Sequence, residues 1–202
     1  ADFSSAAFFI VPASIVPGSE LHLEAVGMNP RRTGLLSALR RMGADIREEN
    51  AGEQGGEPVA DLVVRHAPLH GAQIGGDLVP DMIDEFPALF VAAACAQGVT
   101  TVSDAAELRV KESDRIATMA QGLRALGIDV EEHPDGATIS PGVLRGGQVD
   151  SHGDHRIAMS FAVAAQRAGG EVRIGDVANV ATSFPGFEEL ARRSGIWLDH
   201  AG

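Results

Sequence analysis

Two short runs hold most of the acid–base and anion-binding chemistry available to this chain: Val110-Lys111-Glu112-Ser113-Asp114-Arg115 and Gly153-Asp154-His155-Arg156-Ile157-Ala158-Met159. Each stands at the entrance of an apolar helical pattern. Lys111, Glu112 and Arg115 are three and four residues apart, so on a first helical turn all three can face one pocket. The plainer reading is an exposed, salt-bridged turn. Cations at a helix N-terminus oppose the macrodipole, however, so a Lys and an Arg placed there make more sense beside a bound anion, which the free N–H groups also attract. In the second run Asp154 reads as an N-cap. The Arg156 guanidinium is suited to gripping carboxylate or phosphate through two parallel hydrogen bonds. His155 can move a proton near neutral pH or donate to a phosphate oxygen.

Asp84-Glu85 opens a third apolar run, and one of the pair can cap while the other is spare. A carboxylate at a mouth lined by Lys111, Arg115 and Arg156 stays ionised and can accept a hydrogen bond from a substrate hydroxyl; the alternative is a plain cap. Arg31-Arg32-Thr33 precedes another helix, and a solvated helix start is favoured there over an extension of the basic wall. His22, His66, His70, His133, His152 and His200 have no metal-ligand spacing and read as surface or strand residues. Gly75-Gly76 and Gly146-Gly147 lack the surroundings of a phosphate loop.

The elements that position these residues form a repeat. An apolar helix, a Gly-containing turn, a strand and an amphipathic helix follow one another three times, with helices expected at 6–15 and 33–42, at 87–96 and 113–126, and at 156–167 and 185–193. Strands are expected at 20–26, 99–103 and 171–174, and each copy closes on a Gly-led apolar run, the last being Gly195-Ile196-Trp197-Leu198. The first helix of each copy is apolar nearly all round and is expected in the centre; the second is striped and half exposed. The strands alternate, as in sheets with one wet face. The polar stretch 48–58 reads as a loop or hairpin tip before a strand at 60–65, and a hairpin is expected to turn at Pro134-Asp135-Gly136.

The 202 residues carry a net charge of −12, which argues against a general affinity for nucleic acid or an anionic membrane. Cys95 is the single cysteine, so no internal disulfide forms. In its run of alanines it reads as a buried core thiol. Apolar stretches such as 86–96 are shorter than the ~20 residues of a membrane span. No signal peptide is visible, so a cytoplasmic location is expected. The chain opens directly on a helix-entry signature and reads as a piece of a longer protein.

At these residues the sequence resembles the 5-enolpyruvylshikimate-3-phosphate synthase family. The likeness rests on Leu108 to Arg115 and Gly153 to Met159, together with Asp2-Phe3-Ser4-Ser5-Ala6, Met28-Asn29-Pro30-Arg31-Arg32-Thr33-Gly34, Pro80-Asp81-Met82-Ile83-Asp84-Glu85-Phe86-Pro87-Ala88 and Thr182-Ser183-Phe184-Pro185-Gly186-Phe187. The resemblance implies an α/β (α+β) prism of repeated βαβαββ units, helices inside and sheets outside. It implies a C-terminal domain of about three units, approximately 1–83, 84–153 and 154–202, with the N-terminal domain as partner outside this chain. The implied reaction joins the 5-hydroxyl of shikimate 3-phosphate to C2 of phosphoenolpyruvate, with release of phosphate, on the route to chorismate and aromatic amino acids. Asp84 would hold the hydroxyl and act as base, Lys111 would contact it, and Glu112 would exchange the proton at C3. Arg115 and Arg156 would clamp phosphoenolpyruvate, His155 would assist at the phosphate, and no metal or organic cofactor would be required. Where some members of the family carry a Lys, this chain has Thr182, so that contact does not transfer. The rival expectations are a UDP-N-acetylglucosamine enolpyruvyl transferase-like enzyme and a non-catalytic module binding a phosphorylated metabolite.

Overall fold

The computed structural model describes residues 2–199, so the expectation for His200 falls outside the described residues. In chain order the elements are α1 (Phe3–Ile15), β1 (Glu20–Gly27), α2 (Gly34–Arg41), β2 (Asp45–Gln54), β3 (Glu57–Arg65), β4 (Gln73–Ile74), α3 (Phe86–Ala94), β5 (Thr100–Val102) and α4 (Arg115–Ala125). There follow β6 (Val130–His133), β7 (Gly136–Ile139), β8 (Gly147–Asp150), α5 (His155–Ala165), β9 (Val172–Gly175), α6 (Ala178–Ser183) and α7 (Phe187–Arg193).

The helices that are apolar all round fill the centre. Every residue of α3 is buried, as is every residue of α1 except Ser5, because neither helix has a polar face to offer water. These two pack on each other and on α5. Three sheets lie around them: β1-β3-β2, β4-β5-β7-β6 and β8-β9. The fold is α/β with its helices inside. Among the described residues no helix is long and apolar enough to cross a membrane.

The packing of α4 on α5 depends on a residue too small to be seen in a hydrophobic pattern. A Cβ at Gly122 of α4 would enter the ring of Phe161, which is itself fully buried on α5. Alanine at a helix interior normally gains ~1 kcal/mol over glycine. Here overpacking outweighs that gain, and Gly122→Ala is expected to lower stability by about 1–3 kcal/mol in urea titration. A stabilised variant would show that the ring can step aside.

Of the two expectations for 48–58, the structure bears out the hairpin and not the loop. The stretch is ladder for most of its length: β2 pairs antiparallel with β3 as far as Gln54 opposite Glu57, turning at Gly55 and Gly56, which have φ of 62° and 86°. From Arg47 onward every residue of β2 is exposed, so the strand shows no apolar alternation and looks like loop in sequence. Backbone pairing holds it instead, with the register shift near Asn50 tied down by the Asn50 amide donating to Asp61 at 2.7 Å. The closing run Ile196-Trp197-Leu198 has no regular secondary structure. Its backbone is held by the Gln166 side chain, which accepts from Trp197 N and donates to Trp197 O.

Cys95 is half-buried beyond the end of α3, and burial raises its thiol pKa to about 11, consistent with an unreactive thiol at neutral pH.

Candidate active-site wall

Four helix beginnings meet at one edge of the molecule. Asp84 and Glu85 lie in the short 3₁₀ turn Ile83–Glu85 that leads into α3. Asp114 caps α4 by accepting from Ala117 N, and Asp154 caps α5 by accepting from Arg156 N. Ser4, near the start of α1, donates to Glu85 Oε1 at 2.6 Å.

Arg115 is the hub of this edge. Its Nε donates to Asp154 Oδ2 at 2.8 Å, Nη1 to Asp84 Oδ1 at 3.1 Å and Nη2 to Glu112 Oε2 at 2.6 Å. The side chain is only 1% exposed. Burial opposes its charge, yet Asp154 foremost, with Glu112 and Asp84, holds the guanidinium pKa above its ordinary value. Asp154 is also fully buried, and Ser113 Oγ donates to it at 3.1 Å. Burial works against its ionisation too, but Arg115 above all keeps its pKa below the usual Asp range.

Asp84 sits where the cations converge. Arg156 Nη2 lies 3.9 Å from Asp84 Oδ2, and Lys111 Nζ lies 3.9 Å from Asp84 Oδ1. Although partial burial raises the cost of its charge, Arg156, Arg115 and Lys111 together hold Asp84 below the ordinary carboxylate value. Arg156 Nη1 also donates to the Asp84 carbonyl at 3.1 Å, and its side chain retains 16% exposure. Lys111 Nζ is in addition 2.6 Å from Glu107 Oε1. His155 is half-buried, and burial followed by the Arg156 charge pushes its imidazole below the usual value, which favours the neutral ring.

The geometry changes three details of the sequence reading. Lys111 and Glu112 do not sit on the first turn of a helix: α4 begins at Arg115, and the two residues occupy the segment between the 3₁₀ turn Ala106–Val110 and the Asp114 cap, with Lys111 in extended conformation. Because Asp114 takes the cap, the residues before it are free of helical geometry, and Lys111 reaches Asp84 while Glu112 reaches Arg115. Second, the wall is not net basic. Lys111, Arg115 and Arg156 are matched by Asp84, Glu85, Glu107, Glu112 and Asp154, since a guanidinium as deeply buried as Arg115 requires anionic partners. Third, Asp154 is more than a cap, because its second oxygen belongs to Arg115 and Ser113.

Sequence reasoning passed over Ser4 and Ser113, whose one signal was proximity to caps, and Glu107, whose signal was its place four residues before Lys111. It also left Glu85 unassigned. Arg32 is exposed but donates to Ser4 Oγ at 3.3 Å, so it does touch the wall, whereas Arg31 lies 3.3 Å from Asp81. Thr182 is exposed on α6. A cavity of about 300 Å³ lies elsewhere, between the C-terminal end of α1 and Ile196.

The architecture is that of the enolpyruvyl transferases. The crystal structure of the enolpyruvyl transferase NikO from Streptomyces tendae superposes with a TM-score of 0.76 at 18% identity, over 98% of this chain and 44% of that one, a likeness of fold alone. An EPSP synthase structure from Acinetobacter baumannii is far nearer, with a TM-score of 0.97 and 50% identity over 100% of this chain and 47% of that one. The sequence profile of EPSP synthase (3-phosphoshikimate 1-carboxyvinyltransferase) matches residues 1–190, and the chain belongs to that family. The 3-phosphoshikimate 1-carboxyvinyltransferase of Xanthomonas euvesicatoria pv. vesicatoria (strain 85-10) is 70% identical over 202 residues, and that of Xanthomonas campestris pv. campestris (strain B100) is 72% identical over 198. The chain spans about half the length of these relatives, 46% and 45% respectively.

Proposed function

We propose that this chain forms one wall of a cleft in which the enolpyruvyl group of phosphoenolpyruvate is transferred to the 5-hydroxyl of shikimate 3-phosphate, with phosphate as the leaving group. The observation that carries this reading is the convergence of Lys111, Arg115 and Arg156 on one carboxylate, Asp84, within a chain of this family. Asp84, kept ionised by those cations, accepts the hydrogen bond of the attacking hydroxyl and takes its proton as the C–O bond to C2 forms. Lys111 sits beside the same oxygen and offsets the developing charge. Glu112 delivers a proton to C3 and later removes one, so that the ketal collapses by breaking the C2–O bond to phosphate. Arg156, the more open of the two guanidiniums, grips phosphoenolpyruvate directly. Arg115 contributes from beneath, and neutral His155 donates to a phosphate oxygen.

The partner in this reading is the remainder of the enzyme, an N-terminal domain supplying the opposite wall and the cations that this side lacks. Three units, approximately 1–83, 84–153 and 154–202, belong to the same proposal, supported by the successions α1-β1-α2, α3-β5-α4 and α5-β9-α6-α7, the third with a short extra helix. A cytoplasmic setting follows from substrates that are small phosphorylated metabolites.

The test is a chimera in which the 202 residues replace the matching 46% of the Xanthomonas euvesicatoria relative. Phosphate release from phosphoenolpyruvate plus shikimate 3-phosphate is expected from the chimera and not from the chain alone, because losing one wall forfeits orientation worth ~7 kcal/mol or more. Release only with a UDP-amino sugar acceptor would reassign the substrate. A folded chimera silent with both acceptors would favour a non-catalytic module.

A further inference from the structure

Glu85 occupies the N-cap position of α3, yet its side chain makes no capping bond. The carboxylate turns instead into the protein, where it is 4% exposed, while its neighbour Asp84 faces the mouth at 36%. There it accepts the Ser4 hydroxyl at 2.6 Å and lies 3.5 Å from Arg156 Nη1. Ser4 is itself buried and receives the Arg32 guanidinium on its other side. A path of polar contacts thus runs from the segment before α2, through the start of α1, to Arg156, the more open of the two guanidiniums that meet Asp84. Nothing in helix capping or apolar packing calls for an acid at this position. Burying a carboxylate is costly unless hydrogen bonds and a countercharge compensate, and burial does push the Glu85 carboxyl above its ordinary value.

We propose that Glu85 is a positioning residue that, anchored by Ser4, fixes the Arg156 guanidinium in the orientation presented to the phosphoenolpyruvate anion. Its kinetic consequence rests on the transfer reading above; its structural consequence does not. Asp84 holds Arg156 through a backbone carbonyl and a long ionic contact, which leaves the guanidinium free to pivot. The Glu85 carboxylate, 3.5 Å from Nη1 on the buried side, restrains that freedom. Glutamine keeps the shape of Glu85 and can still accept from Ser4, but lacks the charge that draws Arg156.

Two measurements test this. In arginine side-chain ¹⁵N spectra of the 202-residue chain, with the Arg156 signal assigned through Arg156→Lys, Glu85→Gln is expected to shift the Arg156 Nε resonance and speed exchange of its proton. An unchanged signal overturns the proposal whatever the chain's activity. In the chimera, Glu85→Gln is expected to raise KM for phosphoenolpyruvate about tenfold, leave KM for shikimate 3-phosphate unchanged, and have no such effect in an Arg156→Lys background. Equal losses in both backgrounds would assign Glu85 to packing and overturn the proposal. Should Glu85→Gln fail to fold, Ser4→Ala, which frees the anchored oxygen, is expected to raise the same KM, and an unchanged value would be decisive against. A parent chimera without turnover removes the transfer reading, while the spectra still decide the coupling of Glu85 to Arg156.

Discussion

Replacing Glu112 by Gln in the active chimera is expected to reduce turnover by ~10²–10⁴-fold, the range for loss of a general acid or base, with little change in stability. The two expectations separate because of where Glu112 sits. Its side chain is 54% exposed and its ion pair with Arg115 lies at the protein surface on the Glu112 side. Such half-exposed pairs contribute ~1 kcal/mol or less, and Gln retains an oxygen that can accept from Arg115. Proton exchange at C3 has no such substitute, because an amide neither yields nor takes a proton at neutral pH. Steady-state phosphate release together with solvent deuterium incorporation into phosphoenolpyruvate would measure this. Near-normal turnover or near-normal incorporation would remove Glu112 from its assigned role.

Asp154→Asn is expected to act in the opposite sense, on stability first. Asn can still cap α5, so the helix start survives. The loss falls on Arg115, which is 1% exposed and whose partner here is fully buried. Breaking a buried ion pair from one side costs about 3–5 kcal/mol. Because Asp84 and Glu112 still engage the other two nitrogens, the lower end, about 3 kcal/mol, is the expected value. For a chain of this size that corresponds to a fall in Tm of roughly 6–12 °C. Activity of the chimera should fall as well, since Arg115 anchors Asp84 and Glu112 at once.

The pH dependence gives a second check on the same residue. The folded-state pKa of Asp154 lies below the ordinary 3.8. The stabilisation is therefore complete above the unfolded-state value and is lost as pH falls through the folded one. The stability gap between the parent chain and Asp154→Asn should be constant near neutrality and narrow below about pH 4. Asp84 shifts in the same direction and Glu85 in the other, so the comparison with the variant, more than the parent's own acid limb, isolates Asp154. A loss under about 1 kcal/mol with no pH dependence would mean that Asp84 and Glu112 neutralise Arg115 unaided.

The opposing charges of the wall have a functional consequence under the proposed reaction. An incoming anion meets Arg156, which keeps 16% exposure, but meets in Arg115 a guanidinium that already engages Glu112 and Asp84. Both of those are the groups assigned to proton transfer.

How far the sequence reached can be followed residue by residue. Helices apolar all round, 6–15 and 87–96, have one physical solution, burial at the centre, so α1 and α3 were legible from composition alone. Caps were legible too, because Asp before an apolar run has a local hydrogen bond to make: Asp114 and Asp154 both make it. Lys111, Arg115, Arg156 and Asp84 could be nominated from spacing and charge. Their convergence could not, since it arises from contacts between residues 27 to 72 positions apart. Three-dimensional packing alone decided that Arg115 is buried beneath three carboxylates while Arg156 stays open, and that Glu85 turns inward while Asp84 turns outward. Local pattern fixes which face of an element is apolar. Which charges then meet across elements is set by how the helices stack, and that is a property of the tertiary structure.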